Sequence, residues 1–150
     1  MDTTSVIVAI VIALAVVVIS IYSYYASTGI MPGSKLIVQE PPISNNGIDE
    51  GQAKFMFFYT TWCPWSKKAQ TPVSSFKEML KNTPKTYGGK SIVFEEINAE
   101  SDQGKAALYK IEGYPTFKLE TSDKVYEMKG KPSVAAFRAF LISALGQESS

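Results

Sequence analysis

The chain of 150 residues has no histidine and one cysteine, Cys63. Without an imidazole there is no Ser-His-Asp triad, no Cys-His pair and no histidine-bound zinc. A single cysteine excludes an internal disulfide framework. Charge of either sign is missing from Thr3 to Ser34. From Lys35 onward lie all 15 basic residues and, with Asp2 the one exception, all of the 14 acidic ones, a net charge of only +2. Nucleic-acid partners are therefore not expected, since their binding needs a basic surface that replaces phosphate counterions. The chemistry left to this chain is that of a lone thiol, carboxylates, lysines and hydroxyls.

The uncharged region contains Ser5 to Tyr25, SVIVAIVIALAVVVISIYSYY. As a helix at about 1.5 Å per residue it is roughly 31 Å long, matching a hydrocarbon core of about 30 Å. In lipid the backbone must satisfy its own hydrogen bonds, so β-branched valines and isoleucines do not prevent a helix there. Tyr22, Tyr24 and Tyr25 close the run as an interfacial aromatic belt would. A cleaved signal peptide fits less well. Met1 to Thr4 carry no Lys or Arg, and Tyr24 and Tyr25 crowd the small-residue position before Ala26. Residues 5–25 are thus expected to form a single-pass, N-terminal membrane anchor. Lys35 behind the run and Asp2 ahead of it tilt the positive-inside rule toward a cytoplasmic C-terminal domain, and the topology stays open.

Residues 26–53 hold STG, MPG and PPISNNGIDEG and read as a linker, with a short strand allowed at Leu36–Gln39. A folded domain is expected over 54–147. Lys54–Thr60 (KFMFFYT) reads as a strand covered on both faces. Trp65–Lys81 places Ala69, Val73, Phe76 and Leu80 on one helix face, with Pro72 inside. Ser91–Asn98 is a second strand and Asp102–Ile111 a short helix, with Glu100 and Asp102 as acidic groups at its start. Thr116–Glu120 and Lys124–Lys129 form a hairpin, and Ser133 caps a final helix with Val134, Phe137, Phe140, Leu141 and Leu145 as its apolar stripe. Glu95 and Glu96 are expected to be solvated or at a sheet edge, and Gly88-Gly89 to be a turn. This order of elements is that of an α/β sandwich around a mixed sheet.

Phe58 to Lys68, FYTTWCPWSKK, resembles the segment of the thioredoxin-like superfamily in which a strand runs into Trp-Cys-x-x-Cys at the start of a proline-kinked helix. Ala106 to Thr116, AALYKIEGYPT, is similar to the stretch leading into that family's cis-proline loop. The resemblance, to domains of the thioredoxin and protein disulfide isomerase type, spans Lys54 to Leu145. It implies a thioredoxin-like fold, a cis peptide before Pro115, and the backbone of Tyr114 beside Cys63, offered with Pro115 and Thr116 to an extended substrate. Three departures accompany it. Ser66 stands where the second cysteine belongs, so the motif is Cys-Pro-Trp-Ser; Phe57 stands where the family keeps a buried acid; and Pro72 follows Cys63 by nine residues instead of eight.

At a helix N-terminus, free N–H groups and the macrodipole favour a thiolate at Cys63. Ser66 is placed to donate to the sulfur, Lys67 and Lys68 add positive charge, and Trp62 and Trp65 would frame the thiol with flat apolar surface. Such a thiolate forms mixed disulfides with cysteine-containing protein clients. Ser66 cannot resolve them, so release needs glutathione as co-substrate or another thiol. The expected function is thiol–disulfide exchange or isomerisation through one cysteine. The other reading is a redox-inactive, membrane-tethered binding scaffold. No metal is expected: monothiol glutaredoxins that hold iron–sulfur clusters carry Cys-Gly-Phe-Ser, and Pro64 and Trp65 differ from it.

Overall fold

A computed structural model describes residues 2–28 and 37–150. Residues 29–36, which include Leu36 of the allowed short strand and part of the expected linker, lie outside the described residues. Two compact units are present, Met1–Lys35 and Leu36–Ser150. In the first, helix α1 runs Thr3–Thr28. Its valines, isoleucines and tyrosines are exposed on every side, from 36 % at Val6 to 70 % at Tyr22. The Ser20 hydroxyl donates to the Val16 carbonyl one turn back, at 2.8 Å, so it carries no unmet bond. The helix is long and apolar enough to cross a membrane.

The second unit is a seven-stranded sheet with helices on both faces. In chain order it comprises β1 (Ile37–Glu40), β2 (Gln52–Tyr59), α2 (Pro64–Asn82), β3 (Thr86–Tyr87), β4 (Lys90–Asn98), α3 (Gln103–Leu108), β5 (Thr116–Glu120), β6 (Val125–Met128), α4 (Val134–Leu145) and β7 (Glu148–Ser149). The spatial order is β1-β6-β5-β2-β4-β3-β7. β2 and β4 run parallel, with Tyr59 opposite Asn98, and the other pairs are antiparallel. The second strand therefore returns by a helical crossover, α2, as a parallel pair requires.

The apolar run of β2 is buried on both faces. Phe55 and Phe57 join the cluster formed with Ala69, Val73 and Phe76 of α2 and Phe137, Phe140 and Leu141 of α4. Met56 and Phe58 face the other way, onto Ile97, Tyr109 and Val125. Each fully buried large apolar side chain contributes about 1.5–3 kcal/mol. Aromatic contacts knit the first cluster, with Phe55 edge-on to Phe76 at 5.9 Å and to Phe137 at 5.3 Å.

Several expectations change in detail. Within the stretch read as linker, the short strand allowed at Leu36–Gln39 forms as β1 over Ile37–Glu40 and pairs with β6, and the stretch also supplies the first two residues of β2. The short helix ends at Leu108 because Lys110 takes a left-handed φ of 52°. Its cap is Asp102, whose side chain accepts from the Lys105 N–H at 3.0 Å. Glu95 and Glu96 are ion-paired, Glu95 with Lys54 and Lys105 and Glu96 with Lys77. Ser133 caps α4 by accepting from the Ala136 N–H at 3.1 Å. Gly88, φ +56°, makes the turn between β3 and β4, and a Cβ there would lie 1.9 Å from the Leu145 carbonyl oxygen.

Candidate functional site

The chain leaves β2 at Tyr59, bends through Thr60–Trp62, and enters α2 with Cys63 as its N-cap, φ −78° and ψ 118°. Pro64 occupies the first helical position, where its missing N–H costs nothing. The Cys63 carbonyl accepts from the Lys67 N–H at 3.1 Å. Its side chain projects past the helix end and is 6 % exposed. The thiol pKa is lowered chiefly by the backbone N–H of Ser66; burial opposes this, and the Ser66 hydroxyl and the Trp65 N–H add to the lowering. These are unspent donors of a first helical turn, aimed at an anion.

Ser66 is wholly buried, and its oxygen accepts from the Thr60 N–H at 3.4 Å, so the hydroxyl proton is left for the sulfur. The Thr60 hydroxyl, also buried, has no partner among the described residues. Lys68 does not sit on the sulfur: its ammonium lies over the Trp65 ring, 4.7 Å from the centroid.

The opposite wall is the loop before β5. Tyr114–Pro115 is a cis peptide. The Cys63 thiol donates to the Tyr114 carbonyl at 3.5 Å, and the Thr116 hydroxyl closes the loop onto the Gly113 carbonyl at 2.8 Å. Trp62 meets the Tyr114 ring edge-on at 6.5 Å. Trp62 and Trp65 are each 66 % exposed, so two indole faces flank a recessed sulfur. Beside the cis-proline loop, Trp65, Tyr114, Pro115, Phe117 and Met128 line a hollow of about 410 Å³ with Lys68 at its edge. Cys63, Ser66, Trp62, Trp65, Tyr114, Pro115 and Thr116 are thus brought to one end of the sheet.

Beneath them, Phe57 is 1 % exposed and stacks on Phe117 at 5.1 Å and on Tyr59 at 5.2 Å. The place of a buried acid is filled by an aromatic stack.

Glu100 is the residue whose role sequence reasoning missed. It does not cap α3. Its Oε2 accepts from the Thr61 N–H at 2.6 Å and from the Thr61 hydroxyl at 2.7 Å, and these bonds lower its pKa. The register of the parallel pair explains the meeting. Tyr59 faces Asn98, so two residues beyond both strand ends Thr61 faces Glu100. An acid two residues past the neighbouring parallel strand was the available signal, but only the pairing of those strands makes it readable.

A sequence model of the family described as Thioredoxin matches residues 45–143. Among solved structures, human ERp44 superposes with a TM-score of 0.52 at 22 % identity, covering 63 % of this chain and 28 % of that one. The first thioredoxin domain of mouse protein disulfide-isomerase A4 gives 0.53 at 21 % identity, covering 64 % of each chain. Thioredoxin of Fasciola hepatica gives 0.50 at 16 % identity, covering 63 % of this chain and 82 % of that one. The chain therefore spans less than two thirds of the first two structures it matches. No curated protein sequence matches.

Proposed function

Since this chain belongs to the thioredoxin family, we propose that it carries out thiol–disulfide exchange through the single thiolate of Cys63, in a domain anchored to a membrane by α1. The observation that carries this reading is the sulfur's placement. It lies at the N-terminus of α2, with the Ser66 and Trp65 N–H groups lowering its pKa, and it reaches the Tyr114 carbonyl of the cis-proline loop.

The Cys63 thiolate attacks one sulfur of a client disulfide. A Cys63–client disulfide forms, the client S–S bond breaks, and the other client sulfur leaves as thiolate. The half-buried segment around Tyr114 and the exposed faces of Trp62 and Trp65 hold the extended client segment at the sulfur. Ser66 offers hydrogen bonds but no thiol, and Phe57 offers no proton acceptor, so the second half-reaction belongs to an external thiol. A second client cysteine completes an isomerisation; one glutathione frees Cys63 and leaves the client cysteine as a mixed disulfide with glutathione, and a second glutathione completes the reduction and is released as glutathione disulfide.

The test uses full-length protein in native membranes. Alkylator trapping should reveal mixed disulfides that Cys63→Ser abolishes, and an iodoacetamide rate–pH profile should place the thiol midpoint below the ordinary value of about 8.5. Carbonate extraction should leave the chain in the pellet. A thiol that titrates normally, with partner binding unaffected by Cys63→Ser and lost on substitution of Trp62 or Tyr114, would make the domain a tethered binding scaffold instead.

A further inference from the structure

We propose that Glu100 is a positioning residue for Cys63, holding the Thr60–Trp62 bend so that the sulfur stays on the first-turn N–H groups of α2. The inference rests on the thiolate reading above and assigns how that thiolate is kept poised in a site without the family's buried acid.

The geometry is a two-point clamp. One carboxylate oxygen takes both the backbone N–H and the hydroxyl of Thr61, at 2.6 and 2.7 Å. Both bonds are to a charged acceptor, the stronger class of hydrogen bond. Thr61 lies two residues before Cys63, within the bend that sets where the N-cap residue enters the helix. Glu100 is itself held: its N–H donates to Asn98 Oδ1 at 3.0 Å, and the Ala99 N–H donates to the Tyr59 carbonyl at 2.9 Å. Asn98 and Tyr59 are the last paired residues of the two parallel strands. The clamp thus transfers the rigidity of the sheet to the loop carrying Trp62 and Cys63. Among the described residues the bend's other hydrogen-bonded anchor is the long 3.4 Å bond from the Thr60 N–H to Ser66, so the clamp is its stronger tie.

Charge alone predicts the opposite of positioning. Titratable groups close to the bend are Lys67 and Lys68 of the first turn of α2, the latter held over the Trp65 ring, Glu100 on Thr61, and the Tyr114 phenol, whose ring meets Trp62. Deleting a carboxylate near a thiol favours the thiolate and lowers its pKa. Loosening the bend removes the sulfur from its N–H donors and raises it. The two causes separate by sign.

Full-length protein in detergent is alkylated with iodoacetamide across a pH series, with near-UV circular dichroism reporting the fold. Glu100→Ala is expected to raise the Cys63 midpoint and slow alkylation at pH 6 about three- to tenfold, the change in thiolate fraction for half to one pKa unit. The plateau rate at high pH should stay at the wild-type value, since altered access moves the plateau and not the midpoint. Glu100→Gln keeps an acceptor for both Thr61 donors and loses the charge, so its midpoint should match wild type or lie slightly lower. Thr61→Val removes one bond and should fall between wild type and Glu100→Ala.

If Glu100→Ala does not fold, the other two variants decide, and a wild-type midpoint in Thr61→Val overturns the proposal. So does a folded Glu100→Ala whose midpoint is unmoved or lowered. A wild-type midpoint at about 8.5 refutes the poised thiolate itself and this inference with it. A lowered wild-type midpoint that Glu100→Ala and Thr61→Val leave in place refutes the positioning role alone.

Discussion

Restoring the family's buried acid by Phe57→Asp should unfold this domain. Phe57 sits at the centre of β2, 1 % exposed, opposite Phe117 of β5 and stacked on both Phe117 and Tyr59. Removing the ring alone, as in Phe57→Ala, forfeits its transfer energy and leaves a cavity, a cost of about 3–5 kcal/mol. At roughly 4 °C per kcal/mol for a unit of this size, Phe57→Ala should melt about 12–20 °C below wild type. Aspartate adds a desolvated carboxyl among aromatic rings, costing several kcal/mol more or forcing the group to stay protonated. The sum reaches the whole stability of a typical domain, about 5–15 kcal/mol. Phe57→Leu conserves most of the volume and should cost no more than about 1.5 kcal/mol. Thermal melts of full-length protein in detergent, followed by near-UV circular dichroism, give the order wild type, Leu, Ala, Asp. A Phe57→Asp protein melting within a few degrees of wild type would refute the reasoning. It would mean that the stack leaves water or a cation within reach of the carboxylate.

The other departure in the site is expected to be reversible. Ser66→Cys, a near-isosteric change one turn from Cys63, should shorten the lifetime of trapped Cys63–client complexes at least about tenfold by supplying an internal resolving thiol; complexes that persist as in wild type would show that sulfur at position 66 cannot reach the bond. Gly88→Ala forces a left-handed φ on a residue whose Cβ would sit 1.9 Å from the Leu145 carbonyl oxygen. It should cost at least about 2 kcal/mol, and an unchanged melting temperature would contradict the packing of the α4 end onto that turn. Glu148 is held down to about 2, chiefly by Arg138, then by Lys85 and the Tyr87 hydroxyl. A depressed carboxyl pKa stabilises the fold above the unfolded value of about 4.3 and loses that contribution as pH falls through the folded one. Wild type should therefore shed stability between about pH 4 and 2 in a step that Glu148→Gln lacks, read by hydrogen exchange at the Gly88 N–H bonded to Gln147; superimposable acid profiles would exclude Glu148 as the tie of the C-terminal strand.

Periodicity in the chain determined much of this molecule. An uncharged apolar run long enough for a membrane dictates α1, since no other element exposes so many valines and isoleucines on all sides. The unbroken apolar run at Phe55–Phe58 reads as a strand covered on both faces, and the Ala69–Val73–Phe76 spacing as a helix face. Local chemistry was legible too: Ser133 as a cap, Gly88 as a turn, and Cys63 and Pro64 where a helix begins. What stayed hidden depends on which strands lie side by side. A short strand was allowed where β1 lies, but its pairing with the edge of β6 could not be read from the chain. Glu96 is exposed as expected, but the lysines of β2, α2 and α3 that pair with Glu95 and Glu96 could not be read from the chain. Glu100 looked like a helix cap because its sequence neighbours are a helix start. Its partner, Thr61, stands 39 residues earlier and becomes adjacent only when β2 and β4 pair in parallel at one register. Spacing along the chain encodes faces and caps; contacts between strand ends are decided by register, and register is a property of the assembled sheet.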